Sequence, residues 1–122
     1  MVLVDTSVWI QYVERSNPLV EREMDMLLRA GLVVTAGLVL AELRQGCKTS
    51  KQAKQLLARL RSLPYLEVKR DHWIAAGQII AESRARGQQL KIADCLFASL
   101  ALSEDCEIFT LDQDFSPSSS RE

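Results

Sequence analysis

Short apolar runs alternate with longer helix-forming segments along this chain, and the alternation limits the folds open to it. Residues 1–4, 32–35, 65–68 and 107–111 are short, mainly apolar stretches. Such runs are typical of strands in a parallel sheet, and the segments between them can hold the helices that connect parallel strands. The pattern predicts one α/β domain: a three-layer sandwich with a central, mostly parallel sheet of four or five strands flanked by helices.

Capping residues and apolar spacing indicate where the helices lie. We predict helices over residues 8–14, 18–30, 38–46, 51–63, 72–86 and 92–103. Thr6 or Ser7 is the expected cap of the first helix, and Asp71 of the fifth. Gly31 and Gly87 follow helix ends, a position that favours glycine.

Four carboxylates stand beside apolar segments, and they are the expected catalytic set: Asp5, Glu42, Asp94 and Asp112. Burying an isolated carboxylate costs several kcal/mol unless a partner compensates. Asp5 and Asp112 follow strands, so they lie at the carboxyl edge of the sheet, where ligands bind in such folds. Glu42 and Asp94 lie on helices that can face the same edge. A shared hard cation would explain the acids, and all-oxygen ligands favour Mg²⁺ or Mn²⁺ over zinc.

Each acid also has a structural interpretation, which the sequence leaves open. Asp5 could cap the first helix, Glu42 could be a surface residue, and Asp94 could be a first-turn acid favoured by the helix dipole. Asp112 and Asp114 flank a turn, where aspartate is common, so one of them is expected to serve the turn. Asp5 and Asp94 are the best candidates for direct metal ligands. The secondary candidates are Glu42, Asp112 and Asp114.

Other polar and aromatic residues near these motifs have simpler roles. The hydroxyls of Ser7 and Thr110 can hydrogen-bond the carboxylates from behind. We expect Trp9 and Trp73 to lie in the core or an interface, and His72 to be exposed and not catalytic.

A basic segment follows the second acid. Between Leu43 and Ser62 there are six basic residues and no acid. Cations in such a segment can hold the phosphates of a polyanion. The candidates for such phosphate contacts are Arg44, Lys48, Lys51 and Lys54. A solvated cationic helix face would look the same in the sequence.

Composition excludes several classes of protein. A hydrophobic content of 48% argues against a disordered chain, and no apolar stretch approaches the ~18 residues of a membrane span. The first residues enter a strand at once, so no leader peptide is expected. Cys95 and Cys106 lie in apolar surroundings and indicate reduced core residues of a cytoplasmic protein.

Four motifs together carry a family resemblance: VDTSVWI at 4–10, TAGLVLAELRQG at 35–46, LKIADCLFASLA at 90–101 and FTLDQDF at 109–115. Their order and spacing resemble the PIN-domain nucleases, and specifically the VapC-type toxins of bacterial toxin–antitoxin pairs. The resemblance implies an endoribonuclease that depends on Mg²⁺ or Mn²⁺. It also implies inhibition by a VapB-type antitoxin and a homodimer.

Residues 1–115 are assigned to this domain, and residues 116–122 to a polar, disordered tail. The family usually continues past this point with a further turn and a last strand, so the edge strand of the sheet is expected to be missing. A degenerate PIN fold that binds without cleaving is the alternative, and the retention of all four acids argues against it.

Overall fold

The computed structural model describes residues 1–112 and the backbone of Ser120 and Arg121. Its strands are β1 (Val2–Val4), β2 (Val33–Ala36), β3 (Tyr65–Leu66), β4 (Glu107–Phe109) and β5 (Ser120–Arg121). Its helices are α1 (Thr6–Glu14), α2 (Pro18–Arg29), α3 (Gly37–Gly46), α4 (Ser50–Leu60), α5 (Arg70–Ala85) and α6 (Ile92–Ser103). The predicted α/β fold with a central parallel sheet flanked by helices is confirmed.

The sheet has the order β3-β2-β1-β4-β5, and all four strand pairs are parallel. β1 occupies the centre, where Leu3 lies opposite Val34 of β2 and Ile108 of β4. Every residue of β1 and β2 is buried, as expected for strands covered on both faces. Parallel pairing brings the carboxyl ends of β1, β2 and β4 to one edge of the sheet.

The core is divided between two groups of side chains. The larger group joins the sheet to α1, α2, α3, α4 and α6, and Trp9, Met24 and Leu56 in it are wholly buried. The smaller group lies between α5 and α6 and is centred on Ala76, Cys95 and Leu96. α6 therefore presents apolar residues to both groups, which explains why nearly all of its middle residues are buried.

Two strands end earlier than the sequence pattern predicted. β3 ends at Leu66, whose partner in β2 is Ala36, and α3 begins at the next residue, Gly37. The residues that follow Leu66 therefore have no strand partner in β2. β4 ends at Phe109 because the chain turns at Thr110, whose hydroxyl accepts a hydrogen bond from the backbone N–H of Asp112 at 3.0 Å.

The start of α5 differs from the prediction and changes the environment of two side chains. The backbone N–H of Lys69 donates to His72 Nδ1 at 2.8 Å, so α5 begins at Arg70 and Asp71 is not its cap. His72 is buried, contrary to prediction, with Nε2 2.7 Å from Ser103 Oγ. Trp73 is 55% exposed, whereas the predicted burial of Trp9 is confirmed. His72 and Ala76 are one turn apart and face α6, which leaves Trp73 on the outer side.

The start of α1 also differs from the prediction. Asp5 occupies the N-cap position, and Thr6 and Ser7 lie inside the helix, so neither hydroxyl caps it. Both hydroxyls hydrogen-bond acidic side chains instead, as described for the site below. By contrast, Asn17 caps α2 by accepting from the backbone N–H groups of Leu19 and Val20.

The edge of the sheet beside β4 carries a short fifth strand, in the segment that the sequence analysis assigned to the tail. Ser120 pairs with Ile108 and Arg121 with Phe109. The predictions of a disordered tail and a missing edge strand are therefore wrong at these two residues, while residues 113–119 and 122 lie outside the described part of the chain. Strand pairing uses backbone N–H and C=O groups, so even a polar segment can satisfy an open edge.

The three cysteines are unpaired. The predicted burial of Cys95 is confirmed, and Cys106 is partly buried. Burial raises the pKa of each thiol, including that of Cys47. In the part of the chain that the structure describes, no helix is long and apolar enough to cross a membrane.

Candidate carboxylate site

Asp5 is fixed at the carboxyl edge of the sheet by both its backbone and its side chain. Its backbone N–H donates to the carbonyl of Phe109 at 2.9 Å, which extends the pairing of β1 with β4 by one residue. Its carboxylate makes no capping hydrogen bond to α1. Instead, Asp5 Oδ2 accepts hydrogen bonds from Ser7 Oγ at 3.0 Å and from Thr110 Oγ1 at 2.8 Å. The side chain is therefore oriented by hydroxyls and not by the start of the helix.

Glu42 faces Asp5 from α3. Thr6 Oγ1 lies 3.4 Å from Glu42 Oε1 and donates to it. Partial loss of hydration raises the pKa of the Glu42 carboxyl, and the negative charges of Asp5 and Asp94 raise it further. The hydrogen bond from Thr6 and the positive charge of Lys91 oppose this rise. Glu42 is thus close enough to two other acids to interact with both.

Asp94 completes this acidic region from the first turn of α6, where it is half-buried. Its charge acts on Glu42 together with that of Asp5, so the three acids approach one another although 89 positions separate Asp5 from Asp94. They do not form a closed cluster: among residues 1–112, no three His, Cys, Asp or Glu side chains are grouped tightly enough to enclose an ion.

The last two predicted acids lie after β4. Asp112 is exposed, and its backbone N–H takes part in the turn made by Thr110. This contact uses only the backbone of Asp112, so the turn role predicted for the side chain of Asp112 or Asp114 stays a prediction. Asp114 lies outside the described residues. The structure thus brings together Asp5, Glu42 and Asp94, and it joins Asp112 to them through Thr110.

Gly46 lies where the end of α3 packs on α1. A Cβ atom at this position would collide with Ile10 Cδ1 of α1 and would also contact Thr6. Cδ1 is the far end of the Ile10 side chain, so a change of rotamer can relieve this contact. Gly46 therefore eases the packing of α3 on α1 but is not required for it.

The donor chemistry of this region fits a hard divalent cation. The negative charges of Asp5 and Asp94 both act on Glu42, and the positive charge of Lys91 opposes their effect. Like charges in proximity raise the free energy of the metal-free protein. A bound divalent cation would offset that repulsion, and carboxylate oxygens suit Mg²⁺ or Mn²⁺.

The predicted phosphate-binding residues lie on the adjoining α3–α4 surface. Arg44, Lys48, Lys51 and Lys54 are all exposed. Lys48 lies 3.8 Å from Glu14, and Arg44 and Lys54 border a cleft of about 230 Å³ between the two helices. Arg59, from the same basic segment, is used differently because its guanidinium lies over the ring of Tyr12.

Sequence reasoning missed two residues that affect the acids. Thr6 was interpreted as a helix cap, but its hydroxyl is directed to Glu42, 36 positions away. Lys91, which lowers the pKa of Glu42, precedes α6 and was assigned no role. Both are close in sequence to predicted acids, and this adjacency was the available signal.

Comparison with known proteins places these features in context. The sequence pattern of the PIN domain family matches residues 2–117. A VapC ribonuclease of Mycobacterium bovis and ribonuclease VapC11 of Mycobacterium tuberculosis are each 30% identical over 119 residues. In both cases the alignment covers 94% of this chain and 89% of the relative.

Solved structures share the fold. VapBC2 of Rickettsia felis, bound to a promoter DNA fragment, superposes with a TM-score of 0.76 at 20% identity, covering 93% of this chain and 90% of that one. VapC20 of M. tuberculosis, a toxin that cleaves the sarcin–ricin loop, has a TM-score of 0.76 at 19% identity, with 100% and 98% covered. FitAcB of Neisseria gonorrhoeae has a TM-score of 0.71 at 25% identity, with 92% and 88% covered.

The raised pKa of Glu42 leads to a pH-dependent effect of Glu42→Gln on stability. Folded protein binds this proton more tightly than the unfolded chain, so ionised Glu42 destabilises the folded state. The penalty is absent below the unfolded-state pKa of about 4.3 and develops as pH rises through the raised folded-state pKa. In EDTA near about pH 7.5, we expect Glu42→Gln to raise Tm by about 1–3 °C, because solvent screening limits the gain to under about 1 kcal/mol.

Thermal unfolding of the metal-free protein measures this effect, with the exposed Glu67→Gln as the matched control. Near about pH 4 most of the Tm difference between Glu42→Gln and the wild type should disappear, since the carboxyl is then largely protonated in both states. An identical Tm for the two proteins at the higher pH would contradict the electrostatic coupling of Glu42 to Asp5 and Asp94.

Proposed function

Because the chain belongs to the PIN domain family and, within it, to the VapC group, we propose that it is an endoribonuclease that acts as the toxin of a toxin–antitoxin pair. One observation carries the proposal: the hydroxyl-bound Asp5 carboxylate lies beside Glu42 and Asp94 at the carboxyl edge of a parallel sheet. An RNA substrate and three unpaired cysteines suit the cytoplasm.

The proposed reaction is hydrolysis of an RNA phosphodiester bond at the three acids. Asp5 and Asp94 would hold Mg²⁺ or Mn²⁺, with Asp112 and Asp114 as further candidates. When bound, the cation supplies an activated water and neutralises charge on the phosphoryl group. Glu42 is the acid best placed to orient that water, because Thr6 holds it beside Asp5 and Asp94.

Substitution of Asp94 tests the metal-ligand assignment. We expect Asp94→Asn to lower RNA cleavage by at least about 100-fold, since even outer partners of metal ligands typically cost 10–100-fold. The substitution should preserve the fold and stabilise the metal-free protein by relieving repulsion. Cleavage of a labelled RNA at saturating Mg²⁺ measures activity, and circular dichroism measures the fold.

The wild-type protein tests metal-dependent hydrolysis through its product ends and its metal requirement. Water attack leaves 5′-phosphate and 3′-hydroxyl ends, and EDTA should abolish cleavage. Full activity in excess EDTA, or 2′,3′-cyclic phosphate products, would contradict hydrolysis through a bound cation. Tight RNA binding without cleavage at any Mg²⁺ or Mn²⁺ concentration would favour a degenerate PIN fold that only binds.

We propose that the exposed basic residues of α3 and α4 hold the RNA backbone. The support is position: Arg44 lies on the same helix as Glu42, and Lys54 faces Arg44 across the α3–α4 cleft. Lys48 and Lys51 extend this surface along the connection between the two helices.

Replacing Lys48, Lys51 and Lys54 together with glutamine should weaken RNA binding and flatten its salt dependence. If each lysine contacts one phosphate, the log–log slope of affinity against salt falls by up to about three. The control replaces three exposed cations elsewhere: Arg22, Arg84 and Arg86. Fluorescence anisotropy with the inactive Asp94→Asn background gives both slopes, and equal slopes for the two triple variants would remove the phosphate-binding role.

We propose a VapB-type antitoxin as the partner. Several structural neighbours are VapBC complexes, which supports a partner of this kind. A basic side chain from the partner could enter the acidic region, pair with its carboxylates and compete with the cation. The arrangement of Asp5, Glu42 and Asp94 suits such an inserted arginine.

Co-expression tests the pairing. Expression of this chain alone should arrest bacterial growth, and co-expression of a small DNA-binding protein encoded beside it should restore growth. The Asp94→Asn variant is the control, because it should be harmless while still co-purifying with the partner. Normal growth with abundant, folded wild-type chain would contradict the toxin assignment.

We also propose that the chain forms a homodimer through the outer surface of α5 and α6. Trp73, Ile74 and Leu102 are 55%, 65% and 58% exposed there. They adjoin a largely apolar cleft of about 550 Å³ lined by residues such as Ala75, Ile79 and Leu102. Exposed apolar surface of this kind is typical of protein interfaces.

Charge at this surface should break the dimer. We expect Leu102→Glu to convert a dimer to a monomer in light scattering coupled to size exclusion, because a buried unpaired carboxylate opposes association. Leu19→Glu is the matched control, since Leu19 is 73% exposed on α2. A monomeric wild type, or a dimer that survives Leu102→Glu, would contradict this interface.

A further inference from the structure

Two hydroxyl groups meet at one oxygen of Asp5. Ser7 Oγ lies 3.0 Å from Asp5 Oδ2, and Thr110 Oγ1 lies 2.8 Å from the same atom. Ser7 is two residues from Asp5 on α1, whereas Thr110 is 105 positions away, after β4. One carboxylate oxygen thus joins the two ends of the described domain.

The same two hydroxyls also bind the backbone after β4. The N–H of Leu111 lies 3.3 Å from Ser7 Oγ, and the N–H of Asp112 lies 3.0 Å from Thr110 Oγ1. A backbone N–H can only donate, so both hydroxyl oxygens act as acceptors on this side. Each hydroxyl has a single proton, and that proton is available to the carboxylate. The direction of all four hydrogen bonds is therefore fixed.

We propose that Ser7 and Thr110 are positioning residues that form a hydroxyl clamp, the set of four hydrogen bonds joining Asp5 Oδ2 to the amides of Leu111 and Asp112. The proposal rests on the proposed function where it concerns the cation. The clamp does two things. It directs Asp5 to bind a divalent cation through Oδ1, and it holds the turn at residues 110–112 against Asp5.

The cation-directing part follows from the limited capacity of a carboxylate oxygen. Oδ2 already accepts two short hydrogen bonds, whereas Oδ1 accepts none from the described residues. Binding a cation through Oδ2 would require at least one hydroxyl proton to move away. Binding through Oδ1 leaves the clamp intact and keeps the side chain in one rotamer, which lowers the ordering cost of ligation.

The turn-holding part follows from the position of Asp112. Its backbone is bound to Thr110, and Thr110 is bound to Asp5. Movement of the turn therefore changes the position of Asp112 relative to Asp5. The hydroxyls that hold Asp5 therefore also determine where Asp112 lies.

Amide hydrogen exchange measured by NMR on the full chain tests the clamp without any metal or RNA. We expect the Leu111 amide to exchange at least about 10-fold faster in Ser7→Ala, because its acceptor is removed. The Asp112 amide should do the same in Thr110→Val and should recover in Thr110→Ser, which restores the hydroxyl. Unchanged exchange at both amides in the two hydroxyl-deleting variants would overturn the clamp.

Calorimetric titration with Mn²⁺ alone tests the cation-directing part. Ser7→Ala and Thr110→Val should each weaken Mn²⁺ binding by about 10- to 100-fold, as expected for partners of a metal ligand. Thr110→Ser should recover most of the affinity, and the double variant should lose less than the sum, because both hydroxyls act on one oxygen. Thr49→Val, which removes the hydroxyl that caps α4, is the control and should lower Tm while leaving Mn²⁺ affinity unchanged.

The outcomes separate this proposal from the proposed function. Mn²⁺ binding that depends on the clamp in a wild-type protein that never cleaves RNA would contradict the nuclease assignment and support the clamp. If the protein cleaves RNA and its Mn²⁺ affinity is equal in wild type, Ser7→Ala and Thr110→Val, the nuclease assignment is supported and the clamp is contradicted. Where cleavage occurs, kcat should fall in the hydroxyl-deleting variants while KM for RNA stays constant, since neither hydroxyl contacts the substrate.

Discussion

Parallel pairing of β1 with β4 is the constraint on which the rest of the site depends. It places the residue after β1 beside the residues after β4, so Asp5 and Thr110 meet although the chain passes through six helices between them. The hydrogen bond from the Asp5 backbone N–H to the Phe109 carbonyl holds the two segments together through the backbone alone. α3 and α6 then bring Glu42 and Asp94 to the same edge, and Gly46 eases the packing of α3 on α1.

The carboxylates at this edge of the sheet repel one another, and their surroundings offset this repulsion only in part. Hydroxyls from Ser7 and Thr110 stabilise the Asp5 carboxylate, and Thr6 and Lys91 act on Glu42. The pKa of Glu42 nevertheless remains raised, because lost hydration and two neighbouring acids outweigh these contacts. Burial and neighbouring like charges that shift a pKa in this way are common at functional sites.

Sequence reasoning found the elements whose signals are local. Apolar runs located β1, β2, β3 and β4. The helix α6 was predicted from Ile92 to Ser103, and both bounds are confirmed. The acids were found because a carboxylate beside a buried strand is costly. The errors arose where tertiary or distant contacts determine the structure. The start of α5 is bound by a ring nitrogen of His72 and not by Asp71. Ser120 pairs with the open edge of the sheet although its neighbours in the sequence are polar. The hydrogen bond from Thr6 to Glu42 joins residues 36 positions apart, and no periodic pattern in the sequence indicates it.

The central claim is that Asp5, Glu42 and Asp94 share a divalent cation that Asp5 binds through Oδ1. Diffraction from crystals grown with Mn²⁺, collected at a wavelength where manganese scatters anomalously, tests it most directly. We expect an anomalous peak about 2.1–2.3 Å from Asp5 Oδ1 and within one water of Asp94 and Glu42, with the Ser7 and Thr110 hydroxyls still bound to Oδ2. A peak on Oδ2 with the hydroxyls displaced, or no peak near these acids at saturating Mn²⁺, would contradict the claim.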